Sequence, residues 1–168
     1  MPDLLKPNAE ARDIMEPVPG SLSPEETVQH AVGKMYAGRA AEESCAPPAM
    51  VVLDEGGRLV GLVSQHDILR AILPAYMTMV DLADFAWDEM LAEMAVRLAA
   101  RTVGEIMNAD VVSVTEDAPI MECIDLVVLH DLESVPVVDA GGLVVGIVYV
   151  RDLYGAVVEA LFPRGVDA

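Results

Sequence analysis

Basic residues are scarce in this chain of 168 residues. Lys and Arg number 10 against 28 Asp and Glu, which gives a formal net charge of −18 at pH 7. Nucleic acids and anionic membrane surfaces are both bound through clustered Lys and Arg, which neutralise phosphate groups. The charge balance therefore excludes both as expected partners, and its simplest consequence is solubility.

Cysteines and long apolar runs are also in short supply. Cys45 and Cys123 are too few for a disulfide framework, and Cys123 is predicted to be an ordinary core residue. No stretch approaches the roughly 18 apolar residues of a membrane span, and residues 1–11 lack the apolar segment of a secretory signal. Together these absences predict a cytoplasmic protein.

Sequence patterns that carry catalysis are missing as well. The chain has no metal-ligand spacing, no nucleophile elbow and no phosphate-cradling G-x-x-x-x-G-K. His30 and His130 fall on predicted helices without a partner at metal-ligand spacing, so both are predicted to be structural. The sequence therefore predicts no catalytic residue, no metal site and no required cofactor.

The main positive feature is an internal repeat. GLVSQHD at residues 61–67 returns as GIVYVRD at residues 146–152, and an acidic, glycine-containing turn precedes each string. DIM at residues 13–15 returns as EIM at residues 105–107, an offset of 92 residues rather than the 85 between the longer strings. Such self-similarity indicates a duplicated structural unit. The first copy is longer by seven residues, which we place between residues 38 and 48.

Copy one is predicted to contain a helix that begins after residue 23. Ser23 can cap this helix, Pro24 suits its first turn, and Glu26 can complete a capping box. Four apolar residues at helical spacing are predicted to face the core. They are Val28, Ala31, Val32 and Met35.

The remaining elements follow the same plan in both copies. In copy one, β-rich runs at residues 50–53 and 59–64 predict a hairpin, and a helix at 67–73 is predicted to end at Pro74. In copy two we predict a strand at 111–114, a helix from 116 to about 130 capped by Thr115, and a hairpin of 135–138 with 143–149. The closing helix is predicted at 152–161.

Residues 75–101 join the two copies and contain a stripe of apolar residues at helical spacing, which predicts an amphipathic helix. The stripe consists of Trp87, Met90, Leu91, Met94 and Leu98. The sequence leaves open whether this face packs on its own chain or on a partner subunit.

The duplicated order of elements, with DIM and EIM openings and G-h-h-x-x-x-D closings, resembles the cystathionine-β-synthase (CBS) domain family. DIMEP, DLESVPVVD, GLVSQHD and GIVYVRD carry the resemblance, and the two copies together resemble a Bateman module. It implies an α/β (α+β) fold of two tandem units packed through their sheets about a pseudo-twofold axis, with an added helix between them. The expected segments are a lead-in (1–11), the first repeat (12–73), a helical linker (74–101), the second repeat (102–162) and a tail (163–168).

The resemblance also implies a ligand that contains adenosine, such as AMP, ADP, ATP or S-adenosylmethionine. A carboxylate can accept hydrogen bonds from both ribose hydroxyls, and Asp67 and Asp152 occupy that position of the family pattern. Ser64 supplies a hydroxyl three residues before Asp67, whereas Tyr149 replaces that hydroxyl in copy two. A carboxylate at the start of a helix can also simply cap free N–H groups, so capping stays open as the alternative role.

Two composite ligand clefts follow from the resemblance. Cleft A is expected to contain Leu62, Ser64, His66 and Asp67 of copy one with Val111, Val112, Leu132 and Ser134 of copy two. Cleft B is expected to contain Ile147, Tyr149, Arg151 and Asp152 of copy two with Pro19, Gly20, Pro48 and Ala49 of copy one. His66 and Arg151 could contact phosphate or stay in solvent. We expect cleft B to be the poorer site, because its phenol ring would stand where sugar or phosphate should lie.

The expected function is that of a regulatory module that binds an adenosine-containing ligand, forms a homodimer and acts on a separate protein. Apolar surface for the dimer is expected from the linker helix and from Leu153, Val157 and Leu161 of the closing helix. The high negative charge favours a ligand with few phosphates, such as AMP. The alternative is a ligand-free dimerisation or scaffold protein.

Overall fold

The structure of the chain is a computed structural model that describes residues 8–37, 48–78 and 90–162, with only the backbone of Tyr76 and Thr78. The α-helices are α1 (Ala11–Ile14), α2 (Val28–Ala37), α3 (Gln65–Ile72), α4 (Met90–Ala99), α5 (Val103–Ile106), α6 (Ile120–Leu129) and α7 (Val150–Leu161). The strands are β1 (Ser21–Leu22), β2 (Ala49–Leu53), β3 (Leu59–Ser64), β4 (Val114–Thr115), β5 (Ser134–Val138) and β6 (Val144–Tyr149). A 3₁₀ turn covers Ala75–Thr78.

The strands form two three-stranded sheets, in the orders β1-β2-β3 and β4-β5-β6. In each sheet the short first strand runs parallel to the second, and β6 returns antiparallel to β5. Helices accompany both sheets, so the mixed α/β (α+β) class predicted from the sequence is confirmed. Of the described helices, none is long and apolar enough to cross a bilayer.

Two compact units divide the chain, and they do not follow the sequence repeats in the opening segments. Unit 1 takes in residues 1–18, 56–59 and 111–168, and unit 2 takes in 19–55 and 60–110. The DIM opening of copy one thus belongs to the unit that holds the sheet of copy two, and the EIM opening of copy two belongs to the unit that holds the sheet of copy one. The repeat boundaries stay a prediction.

The core of unit 1 shows how α1 is held. Its backbone donates from Ala11 N to Ala118 O at 2.8 Å and from Arg12 N to Glu116 O at 2.9 Å. Apolar burial adds to these hydrogen bonds. The buried cluster consists of Ala11, Ile14, Val114, Ala118, Cys123, Val127, Val135, Val137, Val148 and Leu153. Burial of each large aliphatic side chain contributes about 1.5–3 kcal/mol to the stability of the fold. Cys123 is fully buried in this cluster, as predicted.

The core of unit 2 holds α5 in the corresponding way. Val103 N donates to Glu26 O at 2.8 Å, and Gly104 N donates to Pro24 O at 2.9 Å. The buried cluster consists of Leu22, Ala31, Met35, Met50, Val52, Val63 and Val103. Each opening helix is therefore fixed by backbone hydrogen bonds as well as by apolar burial.

Both hairpins and the helices that follow them are confirmed to within two residues. The start of α2 was predicted too early, because residues 24–26 form a turn and the helix begins at Val28. The prediction that Val32 faces the core is wrong, since it is 38% exposed. Val28, Ala31 and Met35 form the buried stripe, and Val32 lies about 70° around the helix from the centre of that stripe.

The start of copy two also differs from the prediction. The strand predicted at 111–114 is reduced to Val114–Thr115, and the helix predicted from residue 116 begins at Ile120. Proline disfavours helical backbone at the residue before it, so Pro119 separates residues 116–118 from the helix. Those residues form a turn in which Thr115 Oγ1 donates to Asp117 Oδ1 at 2.6 Å.

The predicted linker helix is present as α4, although Trp87 and the insertion residues 38–47 lie outside the described residues. Leu98 is buried, Met90 and Met94 are half-buried, and Leu91 is 73% exposed. The described part of the stripe therefore packs in part on its own unit. An open apolar groove lies beside it, lined by Ile72, Leu73, Pro74, Met77, Met90, Leu91 and Met94.

Candidate ligand-binding motifs

The sequence-predicted site residues are divided evenly between the two units. Unit 2 holds Pro19, Gly20, Pro48, Ala49, Leu62, Ser64, His66 and Asp67. Unit 1 holds Val111, Val112, Leu132, Ser134, Ile147, Tyr149, Arg151 and Asp152.

The copy-one motif is a complete capping box at the start of α3. Ser64 N and Ser64 Oγ both donate to Asp67 Oδ2 at 2.8 Å, and Asp67 N donates back to Ser64 Oγ at 3.1 Å. Because these bonds fix both side chains, the carboxylate has one orientation. Its second oxygen, Oδ1, lies 3.8 Å from an Arg70 guanidinium nitrogen. The capping role left open by the sequence is thus observed, and it occupies one oxygen of the carboxylate.

Two basic side chains stand beside this capping box. Arg70 Nη2 lies 3.0 Å from His66 Nδ1, and both side chains are exposed. A guanidinium can only donate, so Nδ1 accepts and the imidazole proton resides on Nε2. His66 therefore presents an N–H donor beside an arginine, which is a suitable pair for an anionic group.

The strand that leads into the copy-one motif is held by the segment that follows α5. Leu62 N donates to Asn108 O at 3.0 Å, and Asn108 N donates to Leu62 O at 2.9 Å. A Cβ at Gly61 would collide with Met107 Sδ and lie 3.3 Å from Asn108 O. Glycine is thus favoured here, because a larger residue would push on Met107 and on the Asn108 backbone.

The copy-two motif has the same backbone pairing in unit 1. Glu16 N donates to Ile147 O at 2.9 Å, and Ile147 N donates to Glu16 O at 3.0 Å. A Cβ at Gly146 would lie 2.6 Å from Met15 Sδ. The DIM/EIM strings and the G-h-h strings were both visible in the sequence, but their pairing between copies was not predicted.

The side chains of the copy-two motif differ from those of copy one. Tyr149 N donates to Asp152 Oδ2 at 3.1 Å, and the phenol ring is only 3% exposed. The Arg151 guanidinium stacks over this ring at 4.3 Å from its centroid. Arg151 Nη2 also donates to both oxygens of Glu16, at 2.9 and 2.8 Å. Sequence reasoning missed Glu16 as part of this motif.

The electrostatics of the copy-two motif follow from burial and from Glu16. Burial raises the pKa of Asp152, and the nearby Glu16 carboxylate adds to the rise. The pKa of Tyr149 is also raised, chiefly by burial and next by Glu16. The hydrogen bonds that Arg151 donates to Glu16 raise the pKa of Arg151. The copy-two motif thus raises the pKa of Asp152, of Tyr149 and of Arg151 together.

Ser134 stands apart among the other predicted site residues. It is 2% exposed, and its Oγ has no hydrogen-bond partner within the described chain. Leaving a buried hydroxyl unpaired costs about 1–3 kcal/mol, so this oxygen is a candidate for a ligand contact.

The remaining predicted site residues differ in burial. The half-buried ones are Val111, Val112, Leu132, Gly20 and Pro48, the buried ones are Ala49 and Ile147, and the exposed one is Pro19. The described residues hold no cluster of acids, histidines and cysteines that could bind a metal ion.

Comparison with known proteins identifies the family. A profile of the CBS domain matches residues 11–74 and 103–159. The chain therefore belongs to the CBS domain family and contains two CBS repeats. This confirms the resemblance that the repeated strings indicated.

Three known proteins illustrate the relationship. An uncharacterized 17.7 kDa protein from the bps2 3′ region of Acidianus ambivalens is 25% identical over 111 residues, which make up 66% of this chain and 54% of that protein. This chain thus spans about half the length of that relative. The crystal structure of CBSX2, from Arabidopsis thaliana, in complex with AMP has a TM-score of 0.64 at 20% identity and covers 90% of this chain and 98% of that one.

The third is the cytosolic domain of the Mg²⁺ channel MgtE, solved in complex with ATP. Its TM-score is 0.62 at 27% identity, and the match covers 88% of this chain and 48% of that one. Both solved structures share the fold of this chain.

Proposed function

We propose that this protein is a cytoplasmic regulatory module that binds an adenosine-containing ligand at Ser64 and Asp67 and acts on a separate protein. The observation that carries the proposal is the capping box, in which Ser64 Oγ donates to Asp67 Oδ2 at 2.8 Å. It holds the carboxylate in place with only one oxygen engaged. Similar folds are known in complex with AMP and with ATP.

Asp67 is suited to bind ribose through Oδ1, the carboxylate oxygen that takes no part in the capping box. Among the described residues, Oδ1 makes only a 3.8 Å ion pair with Arg70, whose side chain is 69% exposed. A ribose hydroxyl can replace such a long and solvated contact at little cost. A hydrogen bond to a carboxylate is about twice as strong as one between neutral groups, so this contact would dominate recognition of the sugar.

The number of phosphates on the ligand is limited by charge. His66 and Arg70 offer one phosphate group a donor and a cation, whereas the chain as a whole carries −18. We propose AMP, or a neutral adenosyl compound, in preference to ATP without a divalent cation. Calorimetry should show tighter binding of AMP, and tighter binding of metal-free ATP would contradict this preference.

A ligand-free scaffold is the second candidate function. It is favoured by the observation that both motif carboxylates cap helices, which explains them without any ligand. Thermal unfolding in the presence of AMP separates the two functions. A ligand that binds only the folded state stabilises it by RT ln(1 + [L]/Kd), so we expect a melting temperature that rises with AMP concentration. A constant melting temperature would favour the scaffold.

We also propose that the protein is a homodimer and has no catalytic activity of its own. Large apolar side chains are exposed on α6 and α7, among them Val128 and Leu161, whereas Leu153, which was expected at this surface, is buried. Exposed apolar patches of this kind mark interaction surfaces. On α4, Leu91 and Val96 are exposed as well. Sedimentation at micromolar concentration should give the mass of a dimer, and a monomer would contradict the proposal.

A further inference from the structure

Glu16 and Arg151 form an ion pair within unit 1, in which Arg151 Nη2 donates to both carboxylate oxygens, although 135 residues separate them in sequence. The position of Glu16 is fixed from both sides, because its N–H and its carbonyl both pair with Ile147. Arg151 is fixed by its stacking on Tyr149 and lies 3.8 Å from Asp152 Oδ1. The pair therefore occupies the loop of the copy-two motif.

Copy one lacks this pair although its backbone is arranged in the same way. The repeat places Asn108 where copy two has Glu16, and His66 where copy two has Arg151. Asn108 Oδ1 accepts from Asp110 N at 3.0 Å, and His66 is bound to Arg70. Copy two thus has a carboxylate at this position, Glu16, and copy one has a neutral amide, Asn108.

The partners of Glu16 are those that a phosphate would use. A guanidinium donates charge-assisted hydrogen bonds to carboxylate and to phosphate oxygens alike. The phenol ring of Tyr149, 4.3 Å away, keeps the guanidinium in one orientation. Glu16 consequently satisfies a site whose chemistry also fits a monophosphate group.

We propose that Glu16 is a built-in occupant of the anion site of Arg151, which closes the copy-two motif to phosphate-bearing ligands. The identity of AMP as the excluded ligand rests on the proposed function, but the anion site itself does not. An intramolecular group competes at an effective concentration of about the millimolar range or higher. Free monophosphates at lower concentrations do not displace Glu16. The copy-one motif, which has Asn108 and His66 at the equivalent positions, contains no such competing carboxylate.

Inorganic phosphate and AMP are the two probes for this test. In Glu16→Gln the carboxylate charge is lost while the size and the backbone bonds to Ile147 are kept. We expect this variant to bind inorganic phosphate at least about tenfold more tightly than the wild type, and to lose that gain in Glu16→Gln/Arg151→Ala. Adding Asp67→Ala to each variant removes the copy-one motif, so any AMP that still binds reports on copy two.

The titration of Tyr149 gives a readout that needs no ligand. Its phenol is followed by ultraviolet absorbance and assigned by its loss in Tyr149→Phe, and we expect Glu16→Gln to lower its pKa, because Glu16 helps to raise it. If Glu16→Gln binds phosphate no more tightly than the wild type, the proposal is overturned, whatever happens at Tyr149. If wild type binds no AMP but Glu16→Gln gains phosphate binding, the proposed function fails and the anion site stands.

Discussion

Met15 packs directly on Gly146, and this contact joins the opening of copy one to the hairpin of copy two. A Cβ at Gly146 would lie 2.6 Å from Met15 Sδ and 3.1 Å from the backbone oxygen of Glu16. The methionine can move aside, but the carbonyl is held by its hydrogen bond from Ile147. We therefore expect Gly146→Ala to destabilise the protein by about 1–3 kcal/mol, as measured by urea unfolding.

Gly33 provides the matched control for that substitution. It lies inside α2, and a Cβ there would meet nothing within 4 Å. Gly33→Ala should stabilise the protein by about 0.5–1 kcal/mol, because alanine loses less backbone entropy in a helix. Equal effects of the two substitutions would contradict the close approach at Gly146.

The elements that the sequence predicted well are those with local signals. Both hairpins carry acidic, glycine-containing turns between β-rich runs, and α3 ends before Pro74. The errors concern the first residues of two helices. Because of Pro119, α6 begins later than predicted, and a turn at residues 24–26 takes the place of the first predicted residues of α2. In each case a strong N-cap signal was followed by residues that a turn accommodates equally well.

The long-range features of the motifs could not be predicted from one sequence. Glu16 and Arg151 lie 135 residues apart, and the sequence around either residue does not indicate the other as its partner. A signal did exist in the comparison of the copies, since Glu16/Arg151 becomes Asn108/His66 as a pair. The unpaired hydroxyl of Ser134 likewise became visible only when its neighbours were placed. Such contacts depend on tertiary packing rather than on propensity.

Replacing Ser134 should stabilise the protein. Because its buried Oγ has no partner within the described residues, Ser134→Ala should stabilise the free protein by about 1 kcal/mol in urea unfolding. Ser113→Ala, at an exposed loop serine, should leave stability within about 0.5 kcal/mol. A destabilised Ser134→Ala would mean that the hydroxyl has a partner in the free protein.

Asp152 should make the folded state less favourable as pH rises. Burial raises its pKa above the ordinary 3.8, and Glu16 adds to the rise. Well below 3.8 the group is protonated in both folded and unfolded chains and costs nothing; the penalty grows as pH rises through 3.8 and is complete above the folded-state pKa. Asp152→Asn, which still accepts from Tyr149 N, should therefore gain stability relative to wild type between about pH 3 and about pH 7, as followed by urea unfolding.

The contribution of Glu26 to stability should change with pH in the opposite direction in the same urea-unfolding experiment. Burial opposes the shift, but hydrogen bonds from Lys34 and Ser23 lower the pKa of Glu26 below 4.5. Its contribution is present above 4.5 and is lost as pH falls through the lowered folded-state pKa. Glu26→Gln should thus cost stability at about pH 7 and cost less at about pH 3. Parallel pH profiles for the two variants would refute the assigned environments.

The most direct test is calorimetric titration of AMP into the wild type, Asp67→Asn and Asp152→Asn. Asparagine keeps an oxygen for the helix cap in both variants, so the comparison isolates the carboxylate charge. We expect the wild type to bind one AMP per chain and Asp67→Asn to lose about 1.5–3 kcal/mol, or roughly ten- to more than a hundredfold in affinity. Asp152→Asn should bind as the wild type does. Binding that is lost in Asp152→Asn and kept in Asp67→Asn would contradict the account, as would an absence of AMP binding in the wild type.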